Sequence, residues 1–269
     1  MRVTFRGVRG SVPWAVPECI VHGCNTPCLE LRDESSGAVL ILDAGSGIVG
    51  VQAASLSKKP EHVSLLLTHY HWDHLLGLPF FSTLYDPEQP LTIHTPDLES
   101  HYPGWLETIF QSPFFPVPYE RLPNKPRVDM VGPGTVPVLG FTIRSLVLNH
   151  PGGCFAYRIE GAAGDLVYAT DHEFGDAAFD DPLADFAKGA AAIVLDAHFT
   201  PEEHPHHQGW GHSDWRQCVE FASANAIGTL WLFHHKPGRS DRALEDIRAE
   251  ARKIFAATET ATEETSFEV

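Results

Sequence analysis

The feature that most constrains this chain is a cluster of metal-ligand side chains, His69-Tyr70-His71-Trp72-Asp73-His74. The cluster follows the apolar run 63–68, which predicts a buried strand, and precedes 75–79, which predicts a short helix ended by glycine and proline. In such a turn the first two histidines can point one way and the last two ligands another. A lone histidine is usually a surface or core residue, but this density of ligands indicates a metal site with room for two ions.

The spacing His-x-His-x-Asp-His resembles the signature of the metallo-β-lactamase superfamily. The resemblance implies an α/β fold, a four-layer αβ/βα sandwich of two packed mixed β-sheets with outer helices. The order of predicted strands and helices suits two sheets packed face to face. The chain has no repeat and no long linker, so we expect one domain over residues 1–269.

Hydrophobic patterning predicts the remaining elements. Strands are predicted at 1–9, 28–32, 38–43, 91–95, 138–148, 154–160, 165–170, 191–196, 229–233 and 266–269. Helices are predicted at 47–57, 97–111, 180–188, 214–226 with Ser213 as the N-cap, and 241–256. The proline-rich stretch 112–137 predicts an ordered loop, which either covers the pocket or is a packed surface connection.

Three further candidate ligands, His150, Asp171 and His234, each follow a predicted strand. The resemblance assigns these residues and the cluster to two metal ions. One ion is expected on His69, His71 and His150, and the other on Asp73, His74 and His234, with Asp171 as the bridge.

The last ligand and Asp43 each have two interpretations. His235 competes with His234, and the resemblance favours His234 because Lys236-Pro237 then falls where related nucleases carry Ser-Pro. Asp43 is the last residue of a predicted strand, and it could be either a metal ligand or the residue that begins the next helix. The resemblance makes it a structural support beside the metal loop.

Imidazole and carboxylate ligands suit two divalent ions, with zinc as the first expectation and manganese or iron as the next. The oxygen-reducing diiron branch of the superfamily has glutamate at the position of His71. The histidine found here therefore favours hydrolysis.

Two later segments resemble ribonuclease Z and its phosphodiesterase relatives, in which a glutamate orients a histidine that donates a proton or clamps phosphate. The matching residues here are Asp196 and His212, although the shorter aspartate puts the hydrogen bond in question, and His212 could instead belong to a helix cap. Phosphodiester cleavage needs a nucleophile, neutralised phosphate oxygens and a proton for the leaving oxygen. We therefore expect Asp73, Asp196 and His212 to be catalytic, with attack by a hydroxide shared between the metal ions.

The expected function is hydrolysis of a small phosphodiester, such as a cyclic phosphate or cyclic nucleotide. A net charge of −16 weighs against long nucleic acid as a partner. A ribonuclease Z-like nuclease is an alternative, but the short stretch between His150 and Asp171 leaves no space for its long tRNA-gripping arm. The same metal ions would also serve a lactonase, thioesterase or β-lactamase-like hydrolase, and the ligand set fits a non-catalytic metal-bound interaction protein as well.

The N-terminus enters a strand pattern without a signal-peptide core, and no apolar run is long enough to span a membrane, so we expect a cytoplasmic protein without membrane partners. By analogy with its relatives it could form a homodimer. The five cysteines argue against a disulfide framework. Cys19, Cys24 and Cys28 form either a small extra zinc site or a loop of buried thiols.

Overall fold

The two sheets are built from strands that mostly match the predicted apolar runs. A computed structural model describes residues 1–33, 36–51, 60–98 and 102–269. The strands are β1 Arg2–Gly7, β2 Cys28–Asp33, β3 Ala38–Leu42, β4 Val63–Leu66, β5 Leu91–Pro96, β6 Arg127–Val131, β7 Gly134–Val138, β8 Phe141–Leu148, β9 Cys154–Ile159, β10 Leu166–Ala169, β11 Ala192–Asp196, β12 Thr229–Phe233, β13 Thr258–Thr260 and β14 Ser266–Glu268. The helices are α1 Trp105–Ile109, α2 Ala177–Ala187, α3 Trp215–Ala224 and α4 Asp241–Ile254. Short 3-10 turns lie between them, including Ser46–Gly50, Trp72–His74 and Leu78–Phe80.

Each sheet is mixed. The first has the order β14-β1-β2-β3-β4-β5-β6 and the second β13-β12-β11-β10-β9-β8-β7. In the first sheet β3 to β6 run parallel, and in the second β10 to β13 do so. The remaining pairs are antiparallel. The first sheet thus combines β1 to β6 with the last strand of the chain, β14, and the second sheet consists of β7 to β13.

Apolar side chains of both sheets fill the space between them, with Phe5, Leu42, Phe155, Tyr168 and Phe233 fully buried. The outer face of the second sheet packs against α2, α3 and α4. The outer face of the first packs against α1 and short turns. Each fully buried aliphatic or aromatic side chain stabilises the fold by about 1.5–3 kcal/mol. The predicted sandwich of two mixed sheets with outer helices is therefore what the chain adopts.

The proline-rich stretch 112–137 is not the strand-free loop that its composition predicts. It contains β6 and β7, the last strands of the two sheets. Edge strands need no continuous apolar run, because one side of the strand meets solvent, and Val128 and Met130 are exposed here. Pro137 lies within β7, where an edge position tolerates the missing N–H group.

Two predicted helices are shorter than expected. Of the helix predicted at 47–57, the described part is a 3-10 turn at Ser46–Gly50, and residues 52–57 lie outside the described residues. Of the helix predicted at 97–111, α1 alone is helical, and 99–101 lie outside the described residues. Pro103 lacks the N–H that a continuous helix would require, which explains the late start of α1.

Ser213 is not the N-cap of α3. Asp214 caps that helix, because its carboxylate accepts from the Arg216 and Gln217 N–H groups and completes a capping box. The Ser213 hydroxyl instead donates to the His172 carbonyl, 2.5 Å away. Strand β13 has no counterpart among the predicted elements. None of the helices in the described ranges is long and apolar enough to cross a membrane.

Candidate metal centre

The candidate site lies where the parallel strands of both sheets end, since carboxyl ends of parallel strands share one edge of a sheet. Three of its residues follow strands in a left-handed backbone conformation: Asp43 (φ 62°), Asp171 (φ 55°) and His234 (φ 57°). Such a conformation costs a non-glycine residue of the order of 1 kcal/mol or more. All three side chains nevertheless belong to one buried site at the ends of these strands.

The first ligand group consists of His69, His71 and His150, whose ring nitrogens lie within 4.8 Å of one another. His150 Nδ1 donates to the Gly211 carbonyl at 2.8 Å, which leaves Nε2 free to face His71 Nδ1 at 3.0 Å. His69 Nε2 is buried without a hydrogen-bond partner. Burial lowers the pKa of His69 well below its ordinary value and the pKa of His150 to about 4. Neutral imidazoles converging on one point are the form in which histidine binds metal.

The second ligand group consists of Asp73, His74 and His234. Asp73 Oδ2 lies 3.1 Å from His234 Nε2 and 3.5 Å from His74 Nε2. His74 Nδ1 donates to Asp43 Oδ2 at 2.9 Å, so its other nitrogen is directed into the site. The Ser11 N–H donates to Asp73 Oδ2 at 2.7 Å and holds the carboxylate in place.

Asp171 lies between the two groups, as expected for a bridge. Its carboxylate is 4.0 Å from His69 Nε2 and 3.8 Å from His150 Nε2 in the first group. It is 3.2 Å from His74 Nε2 and 3.5 Å from His234 Nε2 in the second.

These residues fit divalent metal ions. The Nε2 atom of His69 is buried and lacks a hydrogen-bond partner, which is costly unless another atom binds it. Burial would raise the pKa of Asp171, but the neighbouring histidines, above all His234 and His74, hold it well below its ordinary value. Asp43, Asp73 and Asp171 therefore form a buried group of carboxylates that requires positive charge.

Asp43 supports the site from behind, in agreement with its expected place beside the metal loop. Besides His74, its carboxylate accepts from the Thr68 N–H at 2.8 Å and from the Tyr168 hydroxyl at 2.9 Å. Hydrogen bonds of this kind fix the tautomer and orientation of a ligand histidine.

The geometry also separates His234 from its neighbour. His235 Nε2 donates to the Ala261 carbonyl at 2.8 Å, away from the ligand groups, and its ring is fully buried. His234 alone of the two faces Asp73.

Asp196 and His212 meet as the resemblance implies. His212 Nδ1 donates to Asp196 Oδ2 at 2.6 Å, so the shorter side chain of aspartate still reaches. Burial lowers the pKa of His212, but Asp196 and the more distant Asp171 and Asp73 outweigh it and raise the pKa to about 9. The His212 ring lies 5.5 Å from that of His150 and 5.0 Å from that of His234, which places it beside both ligand groups.

A family profile, the β-lactamase superfamily domain, matches residues 39–235. The chain belongs to this superfamily. The match confirms the resemblance drawn from the His-x-His-x-Asp-His motif. The chain is 23% identical to ribonuclease BN of Escherichia coli O17:K52:H18 over 320 aligned positions, which cover all of both chains.

Solved structures confirm the fold. The chain is similar to the metallo-β-lactamase fold protein YhfI of Bacillus subtilis, with a TM-score of 0.73 and 20% identity over 100% of this chain and 98% of that one. It is also similar to a diphosphatase of the PhnP family, with a TM-score of 0.71 and 17% identity over 100% and 97% of the two chains. For the short form of human tRNase Z the TM-score is 0.64, with 18% identity over 100% and 99%.

Within this superfamily fold, the structure adds residues that sequence reasoning missed. The Glu173 carboxylate accepts from the N–H groups of Gly209 and Gly211, both at 2.7 Å. Gly211 has φ +83°, and a Cβ there would lie 2.1 Å from His150 Nδ1. The Gly209-Trp210-Gly211 spacing was visible in the sequence, but its contact with His150 depends on the fold.

His198 is the other residue that was missed. Its Nδ1 donates to the His234 carbonyl at 2.9 Å, and its ring stacks on His212 at 4.6 Å with 20° between the planes. Its backbone N–H donates to Asp196 Oδ1 at 3.0 Å. His198 thus contacts His234, His212 and Asp196.

The three cysteines of the N-terminal loop are placed apart from the candidate metal-ligand groups of the described residues. The candidate metal-ligand groups among the described residues contain no cysteine. Cys28 lies in an apolar core, while Cys19 and Cys24 direct their thiols at backbone carbonyls. His22 Nδ1 lies 3.0 Å from the Asp241 carboxylate. The loop is therefore one of packed thiols.

Proposed function

We propose that the chain is a metal-dependent hydrolase that cleaves a small phosphodiester, with two divalent ions in the ligand groups and zinc as the first candidate. The observation that carries the proposal is the 2.6 Å hydrogen bond between His212 Nδ1 and Asp196, placed beside both ligand groups. A carbonyl hydrolase needs the metal ions and a water, but a phosphodiesterase also benefits from a group that delivers a proton to the leaving oxygen. Ribonuclease BN and the PhnP-family diphosphatase, to which the chain is similar, carry names of phosphate-cleaving enzymes.

Two divalent ions at this site would lower the pKa of a shared water and neutralise the phosphate oxygens. The protein supplies the geometry around them. The hydrogen bonds to Asp43 and to the Gly211 carbonyl occupy Nδ1 of His74 and of His150, so that Nε2 of each ring is directed at the site. Asp196 fixes the His212 ring, so that its Nε2 is the nitrogen left to donate to the leaving oxygen or to hold a phosphate oxygen.

A small substrate suits the surface charge and the shape of the chain. The net charge of −16 opposes the backbone of a long nucleic acid, whereas bound metal ions attract a single phosphate. The segment between His150 and Asp171 forms β9 and β10, with no added arm to grip tRNA.

The test uses purified protein loaded with zinc or manganese and a panel of bis(p-nitrophenyl) phosphate, cyclic nucleotides and cyclic sugar phosphates. We expect turnover by the unmodified chain and a loss of about 10²- to 10⁴-fold in kcat for His212→Ala, with metal content unchanged. His206→Ala is the matched control, because that exposed histidine of the same loop lies outside the ligand groups. Metal-replete protein that is inert towards every phosphodiester would refute the proposal.

Ribonuclease activity is the second candidate, because the ribonuclease BN relative covers the whole chain. A precursor tRNA with a 3′ extension distinguishes the two. Processing of that RNA at rates above those for small phosphodiesters would favour the nuclease.

A further inference from the structure

Trp72 lies within the ligand cluster in the chain, but its side chain is on the surface. Its side chain is 67% exposed, whereas Asp73 and His74 beside it are buried. The backbone around it is fixed, because the Trp72 carbonyl accepts from the Leu75 and Leu76 N–H groups at 3.0 and 2.8 Å. The indole is therefore held on the surface immediately next to two candidate metal ligands.

Two small apolar cavities flank this indole. One, of about 200 Å³, has Tyr70, Tyr102 and Trp105 in its wall, and Trp72 lines it from one side. The other, of about 290 Å³, is also lined by Trp72. Phe80, Phe114 and Phe115 also line the second cavity. Among the described residues that line the two cavities, none carries a charge.

Contacts within the structure position part of these aromatic walls. The Tyr70 hydroxyl donates to the Pro96 carbonyl at 2.9 Å, and the Tyr70 ring packs against Trp105 at 5.7 Å. Phe115 packs edge-on against Phe80 at 5.7 Å. Rings fixed in this way offer faces and edges to another ring without first losing conformational freedom.

The size and lining of the cavities select the kind of group that they accept. Each cavity is below the range of about 300–1,000 Å³ that holds a whole drug-sized ligand, so each suits one ring system. Flat aromatic walls favour an aromatic ring over a flexible chain. His71 and Asp73 adjoin Trp72 in the chain, so the Trp72 Cα atom lies about 3.8 Å from the Cα atoms of two candidate ligands.

We propose that Trp72 is the surface on which a nucleobase of the substrate stacks, with the flanking cavities holding the edges of the base. The substrate class is then a nucleoside phosphodiester. This inference rests on the proposed function and narrows it. Stacking one base on an aromatic side chain changes affinity by about 5- to 150-fold and tolerates any base.

A binding experiment tests the proposal independently of turnover. Calorimetry on the zinc-loaded protein compares adenosine 5′-monophosphate with ribose 5-phosphate, which share a phosphate and a ribose but differ in the base. We expect the unmodified chain to favour the nucleotide by about 5-fold or more, Trp72→Ala to abolish that preference, and Trp72→Phe to retain part of it. Trp14→Ala, at a tryptophan outside both cavities, should keep the preference.

Steady-state kinetics separate the stacking proposal from the proposal that the chain is a phosphodiesterase. Thymidine 5′-p-nitrophenyl phosphate and methyl p-nitrophenyl phosphate release the same leaving group. Trp72→Ala should raise KM for the thymidine ester about 5-fold or more, with kcat nearly unchanged, and should change KM for the methyl ester less than about 2-fold. If the unmodified chain cleaves both esters but Trp72→Ala affects them equally, the stacking proposal is wrong and the phosphodiesterase proposal stands. If the metal-replete unmodified chain cleaves neither of these esters nor any phosphodiester of the panel above, the phosphodiesterase proposal fails.

A second copy of the chain is the other occupant that an exposed aromatic surface could have. Sedimentation velocity of the unmodified chain and Trp72→Ala decides this point. A dimer that Trp72→Ala converts to monomer, with no change in preference for the nucleotide, would overturn the stacking proposal.

Discussion

Gly211→Ala should damage the candidate metal centre from outside the ligand set. Gly211 has φ +83°, and an added Cβ would lie 2.1 Å from His150 Nδ1 and 2.4 Å from Pro151 Cδ. The Gly211 carbonyl is also the acceptor that orients His150. The methyl group therefore forces the imidazole and its hydrogen-bond partner apart.

The magnitude follows from two costs. Placing alanine at a left-handed φ costs about 1–2 kcal/mol, and forcing a methyl group into a packed site costs about 1–3 kcal/mol. We expect Gly211→Ala to lower the free energy of unfolding by about 2–5 kcal/mol. Displacing a ligand whose supporting hydrogen bond is lost should weaken metal binding about 10- to 100-fold.

Gly209→Ala is the matched control. Gly209 has φ +82°, its N–H donates to the same Glu173 carboxylate, and a Cβ there would meet nothing within 4 Å. It should therefore cost only the backbone part, about 1–2 kcal/mol, and leave metal affinity unchanged. Urea unfolding followed by circular dichroism measures stability, and competition with a chromophoric chelator measures zinc affinity. Equal losses for the two variants would refute the idea that contact with His150 sets the cost.

Four further variants test the site and a neighbouring ion-pair group. Asp43→Asn keeps the size of the side chain but removes the charge that orients His74. Zinc affinity measured by chelator competition should therefore fall about 10- to 100-fold. Unchanged affinity would contradict a supporting role for Asp43. His234→Ala should lower the metal content in elemental analysis. His235→Ala should keep the metal and lower the free energy of unfolding by about 1–3 kcal/mol, because the buried Ala261 carbonyl loses its donor. The reverse pattern would make His235 the ligand. Glu203 pairs with Arg239 and lies 3.0 Å from Lys236 Nζ. Burial raises the pKa of Glu203, but these two partners outweigh burial and lower the pKa to about 2. Because the folded-state pKa is lowered, the ionised form stabilises the fold above the ordinary value of 4.5 and loses that effect as pH falls towards 2. Glu203→Gln should therefore flatten the acid side of the stability profile in urea unfolding, and a profile identical to that of the unmodified chain would contradict the assignment.

Much of the fold could be predicted because the internal strands are buried on both faces and read as apolar runs, as at Thr229–Phe233. The same rule explains why some strands were not predicted. Edge strands β6 and β7 lack the apolar run, and the extent of α1 depends on Pro103 and on packing against the first sheet.

The sequence by itself determined the ligand types available at this site, because the His-x-His-x-Asp-His spacing is hard to explain except as a metal centre and the resemblance supplied the later candidates in chain order. Only the tertiary structure decided how those residues are used. It turned His234 inward and His235 outward, joined Asp196 to His212, and brought Gly211 against His150. It also left Trp72 exposed between two apolar cavities. The reason is physical: ligand type is a property of each side chain, whereas its direction depends on backbone conformation and on contacts between residues far apart in the chain.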